Sequence, residues 1–195
     1  MKHILLTISF LVTISSAIPY IRDILKGTTR PNIVSWLTWT LLTSVATVAE
    51  FVAGEYRTAI FTSAAVIETL TIVILGLKFG YAKWSRFDTV CQVGALSGFL
   101  LWYLFDSPAA AVIASVSIDF IGALPTVRHS WLAPGEETWL AYAMAGIGGL
   151  LAILALETYN VTSLTYAMYI VCINILLCAI LIGRAKQSVR QKTAG

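Results

Sequence analysis

The chain has 195 residues, of which 58% are hydrophobic and only 12% charged, and its mean hydropathy is +0.82. That balance excludes an ordinary soluble domain and leaves no segment for a separate soluble catalytic domain. The net charge of +3 calls for no nucleic-acid or other acidic partner, because the basic residues sit at the ends of apolar runs.

About 20 apolar residues cross a bilayer, and the hydropathy pattern predicts seven spans, near residues 4–24, 33–53, 59–77, 88–105, 109–129, 138–156 and 164–183. The first follows Lys2 and contains Ser15-Ser16-Ala17, a secretory-signal pattern, but it continues past Pro19 to Arg22-Asp23. The short basic turn from Lys26 to Asn32 makes the first two helices antiparallel neighbours. The second span opens with Trp36 and Trp39, which share a helical face and read either as an interfacial belt or as a stacking platform for a ligand. Thr43, Ser44, Thr47 and Glu50 follow, then an external turn at Gly54-Glu55-Tyr56-Arg57.

The third span carries Glu68 near its middle, where a carboxyl is costly unless it faces a polar cavity, pairs, or is protonated. After the basic linker Gly80–Arg86 comes a fourth span with Gly94, Ser97 and Gly98 as its expected packing side, and then the minimal loop Asp106-Ser107-Pro108. The fifth span holds Ser115, Ser117, Asp119, Gly122 and Pro125. Asp119 reads equally as a hydrogen-bonded structural carboxyl or as a ligand or proton site. His129 follows at a helix end, and Glu136-Glu137 is expected to open the sixth helix, where carboxylates suit the positive end of the helix dipole. No catalytic role attaches to that pair. The sixth span is rich in small residues from Ala145 to Gly149, and the loop before the seventh contains Asn160-Val161-Thr162, a sequon of low specificity. The seventh places Tyr166, Tyr169 and Asn174 among apolar residues.

Ala17-Ile18-Pro19-Tyr20-Ile21-Arg22 returns as Ala123-Leu124-Pro125-Thr126-Val127-Arg128, with the prolines 106 residues apart. The same offset pairs Glu68 with Asn174 and Lys78 with Arg184, while Trp36 pairs best with Trp139 at an offset of 103. This is the signature of a duplicated unit. Because the first span pairs with the fifth, cleaving it as a signal would remove half of a pair. The expected organisation is all-α: a first triple-helix bundle over 1–79, a linker and inverting helix over 80–108, a second bundle over 109–184 and a basic cytoplasmic tail over 185–195. Eleven of the thirteen basic residues then fall on one side, with only Lys2 and Arg57 on the other, which places the N-terminus outside and the C-terminus in the cytoplasm.

Parallel repeats place equivalent side chains near the membrane midplane. Glu68 and Asn174 are therefore the expected central polar pair, with Asp119, Trp36, Trp39 and Tyr169 as further solute contacts and Pro19 and Pro125 as hinges. Cys91, Cys172 and Cys178 lie in apolar runs without metal-ligand spacing, and there is no GxSxG, HExxH, phosphate loop or CxxC. Neither an enzyme nor a cofactor or metal is expected.

Seven spans in a three-one-three order, with a proline late in helices one and five followed by a basic loop, resemble the PQ-loop group, and this chain is similar to a divergent bacterial-type member of it. The group includes SWEET sugar facilitators and lysosomal amino-acid exporters. The resemblance is carried by Ala17 to Arg22 through Trp36-Leu37-Thr38-Trp39 and by Ala123 to Arg128 through Trp139-Leu140. Tyr20 and Thr126 stand where the name-giving glutamines would be. The resemblance implies a sugar-site asparagine in helices three and seven; Asn174 fits the second, and Glu68 replaces the first. That replacement points to a cationic or amine solute or to proton coupling. The architecture is also similar to vitamin-precursor transporters of the PnuC type, and the KDEL receptor shows that relatives of this fold can bind peptides without transporting. The expected function is a small-solute transporter, taking a sugar, amino acid, amine or vitamin precursor with protons as a second partner. The alternative is a non-transporting receptor or accessory subunit. A monomer suffices, and oligomers stay open.

Overall fold

The structure is a computed structural model describing residues 2–52, 54, 56–80, 84–104 and 108–193. Glu55, Tyr81, Ala82, Lys83, Asp106 and Ser107, which belong to the expected turns and linker, lie outside the described residues. The described chain is helical: α1 (Lys2–Ser15), α2 (Ala17–Leu25), α3 (Ile33–Val52), α4 (Tyr56–Phe79), α5 (Arg86–Leu104), α6 (Pro108–Leu132), a 3-10 turn at Pro134–Glu136, α7 (Trp139–Ala155) and α8 (Val161–Thr193). Five stretches are long and apolar enough to cross a membrane: Lys2–Leu25, Ile33–Val52, Thr62–Phe79, Ala110–Leu132 and Leu164–Ala185, with Trp139–Ala155 shorter but apolar. Bare apolar side chains such as Val52, Leu77, Val90 and Ile147 cover the outside of these helices, as a hydrocarbon solvent allows. The chain is an all-helical, multi-pass membrane protein. α8 carries the helix on through the basic stretch after residue 185 to Thr193.

The helices form two compact units, Met1–Arg30 with Thr126–Gly195, and Pro31–Pro125. The units interleave the two tandem segments expected from the sequence, since the first helical span of each segment joins the unit of the other.

In the first unit α1 runs antiparallel along α7. The Lys2 ammonium donates to the Leu156 carbonyl at 2.5 Å, and the Ser9 hydroxyl to the Gly148 carbonyl at 2.8 Å. Glycines permit this approach: a Cβ on Gly148 would meet Thr13 Oγ1, and one on Gly149 would lie 3.0 Å from Val171 Cγ2 of α8. The small-residue stripe of α7 thus receives α1 on one side and α8 on the other.

Pro19 has no N–H to offer the Ser15 carbonyl, and the helix is interrupted there. α1 ends at Ser15, and a tight turn closes through Ser16 N–H donating to the Thr13 carbonyl at 3.0 Å. α6, in contrast, runs unbroken through Pro125. One turn before that proline, Gly122 sits so close to α3 that a Cβ would lie 2.5 Å from Thr38 Cγ2, so close packing braces α6 where the proline removes a backbone hydrogen bond.

In the second unit α3 packs on α4 and α5, and α5 lies on α6 through Gly94, whose added Cβ would come 3.3 Å from Ile121, and Gly98, whose added Cβ would meet Ile118. Ser97 instead is exposed and bonds to the Val93 carbonyl of its own helix. α5 begins on a capping box: Asp88 Oδ2 accepts from Ser85 N–H and Oγ–H, each at 2.7 Å, and Ser85 Oγ accepts from Asp88 N–H at 3.2 Å. The fully buried Asp88 also receives the Asn32 amide at 3.5 Å, which ties the start of α5 to the start of α3.

Candidate functional site

Glu68 lies in the middle of the Thr62–Phe79 span of α4 and is half-buried. Among the described residues it has no hydrogen-bond or ion-pair partner. A carboxyl in such a span is costly without a partner.

Asn174, its counterpart by register, belongs to the other unit. It is buried in α8, where its amide donates to the Ile170 carbonyl at 2.9 Å and its Cβ packs against Gly146 of α7. One of its two amide hydrogens is thus spent on its own helix. Tyr169 is half-buried beside Tyr166, with ring centroids 6.1 Å apart.

Trp36, Trp39 and Asp119 come together in the Pro31–Pro125 unit. The two indoles meet edge to face with centroids 4.8 Å apart, and Trp39 Nε1–H donates to Asp119 Oδ1 at 2.8 Å. Trp36 and Asp119 are buried and Trp39 is half-buried, so this pair turns inward from the lipid. Among the described side chains, the outward tryptophans, each about half exposed, are Trp84, Trp131 and Trp139. One turn away, Thr38 Oγ1–H donates to Gln92 Oε1 at 3.1 Å. A cavity of about 50 Å³ lies nearby, lined by Leu42, Val45, Ala46, Phe99, Ser115 and Ile118.

The densest polar cluster involves residues to which the sequence attached no role. Glu136 and Glu137 do not open α7. Glu136 closes the 3-10 turn, Glu137 is extended at φ −132° and ψ 149°, and α7 begins only at Trp139. Instead of facing solvent at a helix end, Glu137 turns inward: its Oε2 accepts from Tyr20 Oη at 2.9 Å and from Tyr142 Oη at 2.8 Å. The two phenol rings stand edge to face, 6.1 Å apart. Glu137 Oε1 is buried without a hydrogen-bond partner. Burial, opposed by the two tyrosine donors and assisted by the neighbouring Glu136 charge, pushes this carboxyl up from 4.5 to about 8.

The residues on either side of Glu137 grip the same stretch of chain. The Arg30 N–H donates to the Glu136 carbonyl at 2.9 Å, and its guanidinium reaches Glu136 Oε1 at 3.4 Å. Thr138 Oγ1 meets Thr29 Oγ1 at 2.7 Å and donates to Asp23 Oδ2 at 3.1 Å. His129 Nε2 stands 3.6 Å from Glu136 Oε2. Three consecutive residues thereby fasten α2 and the turn after it, a turn made possible by Gly27 at φ +73° closing on the Ile24 carbonyl. One sequence signal was available: Arg30 and Glu136 are separated by the repeat offset of 106 and carry opposite charge. Comparison of the chain with protein-family models, curated proteins and solved structures gives no match in any of the three.

Proposed function

We propose that the chain is a small-solute membrane transporter of PQ-loop-like architecture: seven membrane helices in a three-one-three parallel repeat, N-terminus outside and C-terminus in the cytoplasm. The observation that carries the reading is Glu68, a half-buried carboxyl without a partner among the described residues, in the middle of an apolar span. A protein that keeps such a group needs an occupant for it, and a hydroxyl- or amine-bearing metabolite or a proton supplies one. In this reading Asn174, Asp119, Trp36, Trp39 and Tyr169 are further contacts, and Pro19 and Pro125 the hinges.

Two features support the repeat. Each compact unit combines the first span of one segment with the second and third of the other, a partition that the 106-residue offset reproduces in outline. Arg30 also bonds to Glu136, which lies 106 residues further on.

The receptor or accessory reading draws on different side chains. The Asn174 amide bonds to its own helix and Asp119 to Trp39, as in a closed polar core. A thermal-shift screen of purified wild type and Glu68→Gln against hexoses, amino acids, polyamines and vitamin precursors separates the two. A transporter site gives a compound that stabilises wild type and loses its effect in the variant. A compound acting equally on both refutes the role of Glu68.

A further inference from the structure

Glu137 lies between the apolar spans, bonded to Tyr20 near the end of the first and to Tyr142 near the start of α7, and the transport reading does not use it. We propose that Glu137 is a proton-binding site whose occupancy holds α2 and its following turn onto the 136–138 segment, and whose deprotonation releases them. This inference stands apart from the solute site at Glu68.

The geometry accommodates a neutral carboxyl better than a charged one. With the proton on Oε2, the carboxyl donates to one tyrosine oxygen and accepts from the other hydroxyl, keeping both contacts of 2.8 and 2.9 Å. With the proton gone, both hydroxyls donate, but a full charge is left buried, with Oε1 bare and no cation bonded to either oxygen. Removing a charge from water without a counter-ion is strongly disfavoured.

The groups around the carboxyl offer no compensation. α2 contributes Tyr20, and Asp23 held by Thr138; α7 contributes Tyr142. The segment itself adds a second acid, Glu136, which engages Arg30 from the turn after α2 and His129 from α6. From α8, which packs on the 3-10 turn, Arg184 is directed to the Trp131 carbonyl and ring. Arg22 of α2 is paired with Asp23 at 2.9 Å and Arg30 with Glu136, and the Glu136 charge works against ionising Glu137.

The moving part is also built in. α2 is set off from α1 at Ser16, where the helical hydrogen bonding lapses while the backbone stays helical at φ −62° and ψ −26°; in the proposal this weak point lets the nine-residue α2 shift while α1 stays docked along α7. α2 is held by the packing of its buried Ala17, Tyr20 and Ile24 and by the polar clasp of residues 136–138, and Glu137 is the member of the clasp buried with a bare carboxyl oxygen.

The experiment uses the full chain in phosphatidylcholine nanodiscs, titrated from about pH 5 to about pH 10. Infrared absorption of protonated carboxyl groups is followed together with backbone hydrogen exchange of the 17–30 peptide, corrected for intrinsic exchange chemistry. Wild type and Glu68→Gln should both lose one carboxyl band with a midpoint near pH 8, and exchange over 17–30 should rise through the same midpoint. Glu137→Gln should lack the band and stay protected throughout. Tyr20→Phe, which removes one donor to the ionised form, should raise the proton affinity on the order of tenfold, and it keeps the test alive if Glu137→Gln does not fold. A band that disappears in Glu68→Gln instead, a midpoint near that of an ordinary glutamate, or exchange in wild type that ignores pH would each overturn the proposal.

Discussion

Replacing Glu137 by Gln should flatten the dependence of stability on pH. In the folded chain the carboxyl titrates near 8, against 4.5 ordinarily. Between those values the folded protein keeps a proton that the unfolded chain gives up, so unfolding releases a proton and is favoured as pH rises. The stabilising contribution is fully present below about 4.5, falls by up to about 1.4 kcal/mol per pH unit, and is gone above about 8, at most about 5 kcal/mol in total. For a chain of this length that slope corresponds to roughly 3–5 °C per pH unit in the unfolding midpoint. Gln presents the same shape and stays neutral, so this component vanishes. The assay is intrinsic fluorescence melting in nanodiscs, read through the six tryptophans, for both proteins across that pH range. Parallel curves for wild type and variant, or a wild type that grows more stable as pH rises from 5 to 8, would refute the buried neutral carboxyl.

Other substitutions test the packing and the hinges. Trp39→Phe leaves Asp119 Oδ1 without its 2.8 Å donor and should cost about 1–3 kcal/mol, measured as a lower unfolding midpoint that Asp119→Asn in the same chain partly restores. Gly122→Ala drives a methyl to 2.5 Å from Thr38 Cγ2, with an overpacking cost of about 1–3 kcal/mol; adding Thr38→Ser, which removes that methyl and keeps the hydroxyl to Gln92, should recover much of it in a double-mutant cycle. Pro19→Ala restores an N–H for the Ser15 carbonyl and should join α1 to α2, visible as stronger exchange protection at residues 15–20 together with slower solute movement. Asn174→Leu gives up a hydrogen bond made only within α8, so unfolding should move by about 1 kcal/mol or less, while stabilisation by a bound solute should disappear.

How much of this was legible depended on whether a feature is local. The apolar runs are local, and the described helices fall where they predict, but of the seven expected spans five are long and apolar enough to cross a membrane: Trp139–Ala155 is shorter, and Arg86–Leu104, over the expected fourth span, is not among the five. The break near Pro19 is also local, because a missing N–H acts on the preceding turn. Pro125 carries the same chemistry without a break, since Gly122 against Thr38 is a contact made 84 positions away along the chain. Trp36 and Trp39 were legible as a shared face, but only the hydrogen bond to Asp119 shows that the face turns inward.

Glu137 was misplaced for the same reason. Read locally, an acid just before a helix belongs at the positive end of a dipole. Its burial is set by Tyr20, 117 residues earlier, and neither periodicity nor charge pattern reports that. Glu68 was legible because its oddity is compositional: a carboxyl in an apolar run stands out without any partner, and none is present among the described residues.

The most direct test of solute transport is uptake by the purified chain in proteoliposomes. Radiolabelled hexoses, amino acids, polyamines and vitamin precursors are supplied outside, with wild type, Glu68→Gln and empty vesicles run together. Saturable uptake of one compound by wild type, lost in a folded Glu68→Gln, is the predicted result. Uptake no faster than empty vesicles for a compound that nevertheless binds wild type through Glu68 would contradict transport and leave a binding protein in its place.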